Sequence, residues 1–584
     1  MPAGTPRPLS LRDAAVYFLI GALLDIVIGL PRLADVLQGS LINPDSYMRL
    51  VRLREMLAQR KLIDVVARDG SGDGTLLAWS HLLDGLILAL SAPLRLFMSE
   101  SQAVHWVAVA LGPLSVGLLG LSLVWAFSPI TDRQWRWTAP VLAATSLFVA
   151  GYGLPGVVHH HVLIALTIVM TAGWAGRAGL CGAEAGWRMG LWSAAGLWLT
   201  PETMPFTLLA YGGAGLVWLS RPDRRADGEA LRSAGTGFLL LVAAALAVDP
   251  PHGGYGEAEI DRLSVVYLVL AASVCAIGWA LWRVDRSRAS PHRRGALGVA
   301  VALAGLGAWI ALFPAVIRGP DALMNAEQAR AFFGIISEMQ PITTLRDAWA
   351  DLLDGALATI VLLAIAVRTR SPLWAYGAIV GILVLALGAA HLRFVTYSIA
   401  FAAAVLPVAA TYCEPAFRRH AASVRIAVLA AFFIGPRAGD AVGRVSTPAA
   451  AQAAASGDCR IAAAVGMLRP YAGAVVMADV NDAPELLYRT DVLTVGSAYH
   501  TNVAAYMRLR AAWRSPPSDE VPEAVRSTRA ALLLFCPGTG RSRLVADLPP
   551  ITLRDRLERN EVPRWLVKIA EEPGSGYALY RIAN

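Results

Sequence analysis

Charge is scarce in this chain. Asp, Glu, Lys and Arg together supply 16% of the 584 residues against 56% for the apolar types, and so thin a polar complement cannot solvate a globule of that length. Cysteine is scarce as well. Cys181, Cys275, Cys413, Cys459 and Cys536 lie far apart with no Cys-x-x-Cys among them, which indicates neither a zinc site nor a disulfide framework and leaves them as inert fillers. No internal repeat of about 20–50 residues and no low-complexity tract is present, which excludes a solenoid. A phosphate-cradling glycine loop is missing too, since Gly70-Ser-Gly-Asp-Gly74 has neither a strand before it nor a helix after it and reads as turns.

Long apolar runs are what the chain has instead, and its mean hydropathy is +0.51. Runs near 11–30, 102–126, 137–152, 157–176, 187–200, 203–220, 231–249, 262–283, 295–317, 348–367, 371–389, 391–411 and 423–436 predict about thirteen crossings of a hydrocarbon core about 30 Å thick. The first run follows Arg7 and Arg12 but lacks a small-x-small cleavage site, so it reads as a span rather than a secretory signal. The run 77–97 carries His81, Asp84 and Arg95, and reads as an amphipathic helix lying at the outer surface. With that assignment the net charge of +8 reports topology. Arg221, Arg225, Arg283, Arg286, Arg293, Arg294, Arg368, Arg370, Arg418 and Arg419 share one side, as cytoplasmic connections do, and form no nucleic-acid face.

The opposite side receives long outer loops at 31–101 and 318–347, both within a transmembrane domain over 1–438. Residues 439–584 regain charge and proline, and short β-like runs alternate there with helical ones. They predict a soluble α/β domain of ordinary size on the extracytoplasmic side, after an odd number of crossings. The fold class is therefore an α-helical polytopic membrane domain followed by a soluble α/β domain, in the cytoplasmic membrane.

The outer side collects the chemistry-bearing groups. The first loop offers Asp45, Tyr47, Arg49 and Arg52, the second offers His159, His160 and His161, the long loop offers Glu338, and His391 with Arg393 opens a late span. Carboxylate, imidazole and guanidinium together suit a divalent metal and an anionic leaving group carried on a lipid. Plainer readings stand beside this one. Asp45 after Asn-Pro suits the N-cap of a helix over 46–59, and three histidines at a span entrance serve equally as interfacial imidazoles. His159 and His161 could both ligate only on extended or irregular backbone. A secondary transporter or flippase would place ionisable groups at the bilayer midplane, where the spans hold little beyond Asp25 and the Glu202 turn.

Three motifs carry a family resemblance: Asp45-Ser-Tyr-Met-Arg49, Ile336-Ser-Glu-Met-Gln-Pro341 and Arg393-Phe394-Val-Thr-Tyr397. In this order, with the external C-terminal domain, the chain resembles the catalytic subunit of oligosaccharyltransferases, among the GT-C integral-membrane glycosyltransferases. The resemblance implies that Asp45 and Glu338 are catalytic, that Arg393, His391 and Arg49 hold the donor phosphate, and that Asp45 with His159 and His161 binds a metal. Where that family has an acidic pair, this chain has histidines, which suits Mn²⁺ or Zn²⁺ more than Mg²⁺, or no metal at all. The family's Trp-Trp-Asp-Tyr-Gly signature is replaced by Met477-Ala-Asp-Val-Asn-Asp482, so an Asn-x-Ser/Thr acceptor is not expected. Tyr499 and His500 are the candidate acceptor contacts, with packed structural roles as their alternative. The expected activity is transfer of a sugar or oligosaccharide from a polyprenyl-(di)phosphate to a lipid, glycan or protein. The alternative is transfer of one monosaccharide from a polyprenyl phosphate to lipid or polysaccharide.

Overall fold

A computed structural model describes residues 9–221, 225–287, 290–342, 349–417, 459–537, 545, 548–572 and 575–583. Among these, nine helices are long and apolar enough to span a bilayer, which makes this a multi-pass membrane protein. They begin with α1 (Leu11–Leu37), which is followed by α2 (Pro44–Gln59) and α3 (Leu82–Ser91) in the first long loop and by α4 (Glu100–Phe127). The expected span 137–152 is instead two short helices, α5 (Thr138–Thr145) and α6 (Leu147–Gly153). Ser146 separates them in extended conformation (ψ 136°) and caps the second by accepting from Val149 N–H.

The expected spans 157–176 and 187–200 run together as α7 (His161–Leu199), broken at Gly182 with φ 57° and ψ −131°. Only glycine reaches that backbone without strain. A Cβ on Gly196 would touch the Thr167 hydroxyl at 2.9 Å, so the two arms lie side by side and two crossings are recovered. Then come α8 (Met204–Ser220), α9 (Arg225–Val248), α10 (Val265–Arg286), α11 (Pro291–Leu312), α12 (Ala315–Arg318) and α13 (Ala326–Phe333). The last membrane helices described are α14 (Trp349–Thr369), α15 (Pro372–Ala390) and α16 (Val395–Phe417). The expected span 423–436 lies outside the described residues.

The run 77–97 does not cross, as expected, but two of its polar groups, His81 and Asp84, do not face water. Asp84 on α3 is fully buried against Arg49 and Arg52 of α2, while Leu86, Leu90, Leu96 and Phe97 are exposed. Burying the ion pair and presenting the leucines suits a helix that rests on the apolar edge of a bilayer.

The C-terminal unit is a five-stranded sheet in the order β4-β3-β5-β7-β6. The strands β3 (Val475–Met477) and β4 (Leu493–Thr494) run parallel, as do β3 and β5 (Leu532–Phe535); β6 (Leu566–Glu571) and β7 (Ala578–Ile582) are antiparallel. The first two strands, β1 (Val65–Val66) and β2 (Thr75–Leu76), form a separate ribbon in the first long loop. Every residue of β5 is buried, as a central strand covered on both faces requires. The cysteines are not all fillers: Cys459 and Cys536 form a disulfide across 77 residues, tying the segment before α17 (Ile461–Leu468) to the end of β5.

Both long loops bind this sheet domain. Phe332 of α13 is 2% exposed and meets Tyr506 edge-on at 5.3 Å, on α19 (Val503–Trp513). The first loop contributes Asp69, fully buried, which accepts from Thr75 and Thr494 hydroxyls at 2.7 Å each and also from Ser497. Tyr47 of α2 donates to Glu485 at 2.9 Å, on α18 (Ala483–Arg489). The sheet domain is thereby fixed over the helix ends that carry the charged groups.

Candidate functional site

The turn into α2 sets the first carboxylate. Pro44 occupies the first helical turn, where a missing N–H costs nothing, and Asn43 is therefore the cap, its Oδ1 accepting from Ser46 N–H at 2.8 Å. Asp45 is not the cap and its side chain is free to point outward. The Ser46 hydroxyl accepts from Val158 N–H at 2.7 Å, which fastens the second loop beside the first. That bond delivers the histidines to Asp45.

Asp45 takes two donors, the Tyr499 hydroxyl at 2.9 Å on Oδ1 and His159 Nε2 at 3.1 Å on Oδ2. Its side chain keeps 40% exposure toward a cavity. Partial burial pushes the Asp45 carboxyl up, but the His159 and Tyr499 hydrogen bonds and the Arg49 charge outweigh it and hold the group below the usual carboxylate range. Burial beside Asp45 pushes the Tyr499 phenol well up, so it stays a donor.

The remaining groups continue the line. His159 Nδ1 lies 2.5 Å from His161 Nδ1, and His161 Nε2 lies 3.1 Å from the Arg393 guanidinium. Arg393 pairs with Glu202 and faces Glu338 at 3.9 Å, while Tyr152 donates to Glu338 and stacks on His161 at 4.2 Å. Tyr397 donates to Glu202 at 3.2 Å. Asp45, His159, His161, Glu338 and Arg393, read as one set from the sequence, stand together.

Three other expected site residues are engaged within the fold. Arg49 is 2% exposed, bonded to Asp84 at 2.8 Å and held over Trp79 at 4.5 Å. Its guanidinium is buried inside the fold, beside Asp84 and Trp79, and lines neither polar cavity described below. Trp79 in turn meets Tyr499 edge-on at 5.3 Å, so Arg49 bears on Asp45 through that packing and through its charge. His391 bonds the Met339 carbonyl at 2.9 Å and lines neither polar cavity described below. His500 pairs with Asp261 at 2.6 Å. Glu202 and Tyr152, both within the cluster, were not singled out as site residues from the sequence. Glu202 shares the signature that marked Asp45, a carboxylate just after a proline between two apolar runs.

Two cavities meet at this cluster. One, of about 740 Å³, opens under the sheet domain and is lined by Asn43, Asp479, Asp482, Arg554 and Tyr577. The other, of about 320 Å³, reaches Glu202, Arg262, Arg393, Phe394 and His500. Asp45, His159, Glu338 and Tyr499 belong to both. Burial and the neighbouring Asp479 push Asp482 up to about 7. A third cavity, of about 420 Å³ and almost wholly apolar, runs among α7, α8, α15 and α16 from Tyr397 and Phe206 to Leu180 and Arg221. Since α8 starts beside Glu202 and ends before Arg221, this groove follows the depth of the membrane.

No protein-family model matches the chain, and no curated protein sequence does. Solved structures do. The chain is similar to an oligosaccharyltransferase of Archaeoglobus fulgidus in its apo form, with a TM-score of 0.68 and 12% identity over 90% of this chain and 70% of that one. A structure of the A. fulgidus oligosaccharyltransferase with Zn and sulfate gives 0.66 and 12% over 89% and 67%. The A. fulgidus oligosaccharyltransferase AglB with an inhibitory peptide and a dolichol-phosphate gives 0.65 and 13% over 89% and 69%. At such identity the likeness establishes the fold alone, the one these A. fulgidus structures share.

Proposed function

We propose that this chain transfers a sugar or oligosaccharide from a polyprenyl-linked phosphate or diphosphate to an acceptor at the extracytoplasmic membrane face. One observation carries the reading. Asp45 and Arg393, 348 positions apart by their numbers, are joined through two histidines where a polar cavity for an acceptor meets a second cavity beside a membrane-deep apolar groove.

The groove suits an isoprenoid tail, and in this reading the lipid phosphate stands near Arg393 and Tyr397. Asp45 takes the proton from the acceptor's hydroxyl or amide as the acceptor atom bonds to the anomeric carbon. The bond from that carbon to the phosphate oxygen breaks, and its electron pair leaves on the phosphate. Arg393 faces that developing charge, a contribution typically worth about 3–4 kcal/mol. Glu338 and Tyr152 hold Arg393 and wall the junction, and Tyr499 holds Asp45 from the sheet domain.

The acceptor enters beneath the sheet domain, where Asn43, Asn481, Asp479 and Asp482 offer hydrogen bonds suited to a hydroxyl-rich or amide-bearing acceptor. The disulfide supports an oxidising, extracytoplasmic location for that domain. Arg221, Arg286 and Arg294 at the far helix ends support a cytoplasmic opposite side. The test is incubation of purified protein with a panel of polyprenyl-linked sugars and detection of released lipid phosphate. Release from at least one donor upholds the reading, and none from any removes it.

A further inference from the structure

The resemblance seen in the sequence implies an ion at Asp45, and one similar structure was solved with Zn and sulfate. His159, His160 and His161 bring ring nitrogens within 4.8 Å of one another. The bonding of those nitrogens nevertheless does not fit an ion.

Arginine offers only N–H groups, so at 3.1 Å the Arg393 guanidinium donates and His161 Nε2 accepts. An imidazole with its lone pair on Nε2 carries its proton on Nδ1. His161 Nδ1–H therefore donates to His159 Nδ1 at 2.5 Å, and His159 is left with its proton on Nε2. That proton points at Asp45 Oδ2, 3.1 Å away. No other placement of protons satisfies all three contacts, because a second proton on either ring would set N–H against N–H.

The lone pairs of His159 and His161 are thus used up within the chain. Asp45 accepts from His159 and Tyr499, and Glu338 accepts from Tyr152 and faces Arg393. Lone pairs remain on Asp45, on Glu338 and on one ring, His160, which stacks on His159 at 4.7 Å, but among the described residues the one group of three such side chains within ligating reach is the three histidines themselves, two of which are spent. A catalytic zinc site takes three protein ligands.

We infer that the His159–His161 pair stands in place of a metal ion, as a neutral, one-directional hydrogen-bond chain from Arg393 that orients Asp45, so that the reaction at this site needs no divalent cation. Each bond polarises the next, and Arg393 at the donor end strengthens the N–H that reaches Asp45 at the acceptor end. His159 and His161 are positioning residues, acting through Asp45. The inference draws its chemistry from the sugar-transfer reading, while its geometry is independent of it.

The experiment uses full-length protein with ¹⁵N-labelled histidine in lipid nanodiscs. Ring nitrogen shifts are expected to show one imidazole protonated on Nδ1 and a partner protonated on Nε2, unmoved by added Zn²⁺ or Mn²⁺. His161→Phe keeps a ring on Tyr152 but frees His159 Nδ1, and the fixed His159 tautomer is expected to be lost. Elemental analysis is expected to find far less than one divalent ion per chain, and release of polyprenyl phosphate is expected to change less than about twofold with chelator. A bound ion at unit stoichiometry, histidine shifts that move with metal, or a loss above about tenfold on chelation restored by one ion overturns the inference. If no donor is turned over under any condition, the sugar-transfer reading fails, and the spectra and metal content still decide this one.

Discussion

Tyr499→Phe removes one oxygen and leaves a ring that still meets Trp79 edge-on at 5.3 Å, so it isolates the single donor bond from the sheet domain to Asp45. A hydrogen bond to a charged group contributes about 1.5–3 kcal/mol net when buried. Asp45 is 40% exposed, so water can replace part of the bond and the expected loss is about 1–1.5 kcal/mol, or about tenfold in rate at neutral pH. The direction with pH is also fixed. Tyr499 is among the groups that hold the Asp45 carboxyl low, and without it the carboxyl protonates at higher pH. The acid limb of the rate profile therefore moves to higher pH, so the loss is larger on that limb and shrinks to the neutral-pH value as pH rises through it. The assay is release of polyprenyl phosphate across pH, with substrate saturating. An unmoved acid limb, or one displaced downward, would refute the claim that the sheet domain tunes Asp45.

Arg393→Gln removes the charge facing Glu202 and Glu338; donor binding, read by titration with a polyprenyl phosphate, is expected to weaken at least tenfold, and unchanged affinity would count against the phosphate role. Asp482 sits up at about 7 beside Asp479. A carboxyl raised on folding adds stability below its unfolded value near 4, and that contribution disappears as pH climbs through about 7. Asp482→Asn should therefore raise the unfolding free energy at about pH 8 by on the order of 1 kcal/mol, read as a higher melting temperature, and give no gain at about pH 4. Equal gains at both would reject the assignment. Gly176 lines the apolar groove with open space around it, so Gly176→Leu should raise KM for long polyprenyl donors and spare short ones; equal effects on both would argue against a tail there.

Much of this site was legible because charge is rare in the chain, so any carboxylate or guanidinium beside an apolar run stands out. Asp45, Glu338 and Arg393 were found that way. Glu202 was passed over because it appeared only as an exception to the apolar spans, although its setting matches that of Asp45. The cap was misassigned because Asn43 and Asp45 both suit the role; the position of Pro44 decides it, since proline favours the residue just inside the helix. Arg49 was misplaced because its partner Asp84 lies 35 residues on, in a run read as surface. The disulfide carried no spacing signal across 77 residues. Gly182 turns the chain sharply between two expected spans, and Ser146 divides another, by backbone angles that a hydropathy profile does not register.

In the proposed reaction Asp45 takes the acceptor proton while Arg393 holds the departing lipid phosphate, and this division of roles has a single decisive variant. It is tested most directly by Asp45→Asn, comparing donor binding and single-turnover release of polyprenyl phosphate in the same preparation. Donor affinity within about twofold of wild type with release reduced more than about a thousandfold is the expected result. Release at the wild-type rate would contradict it.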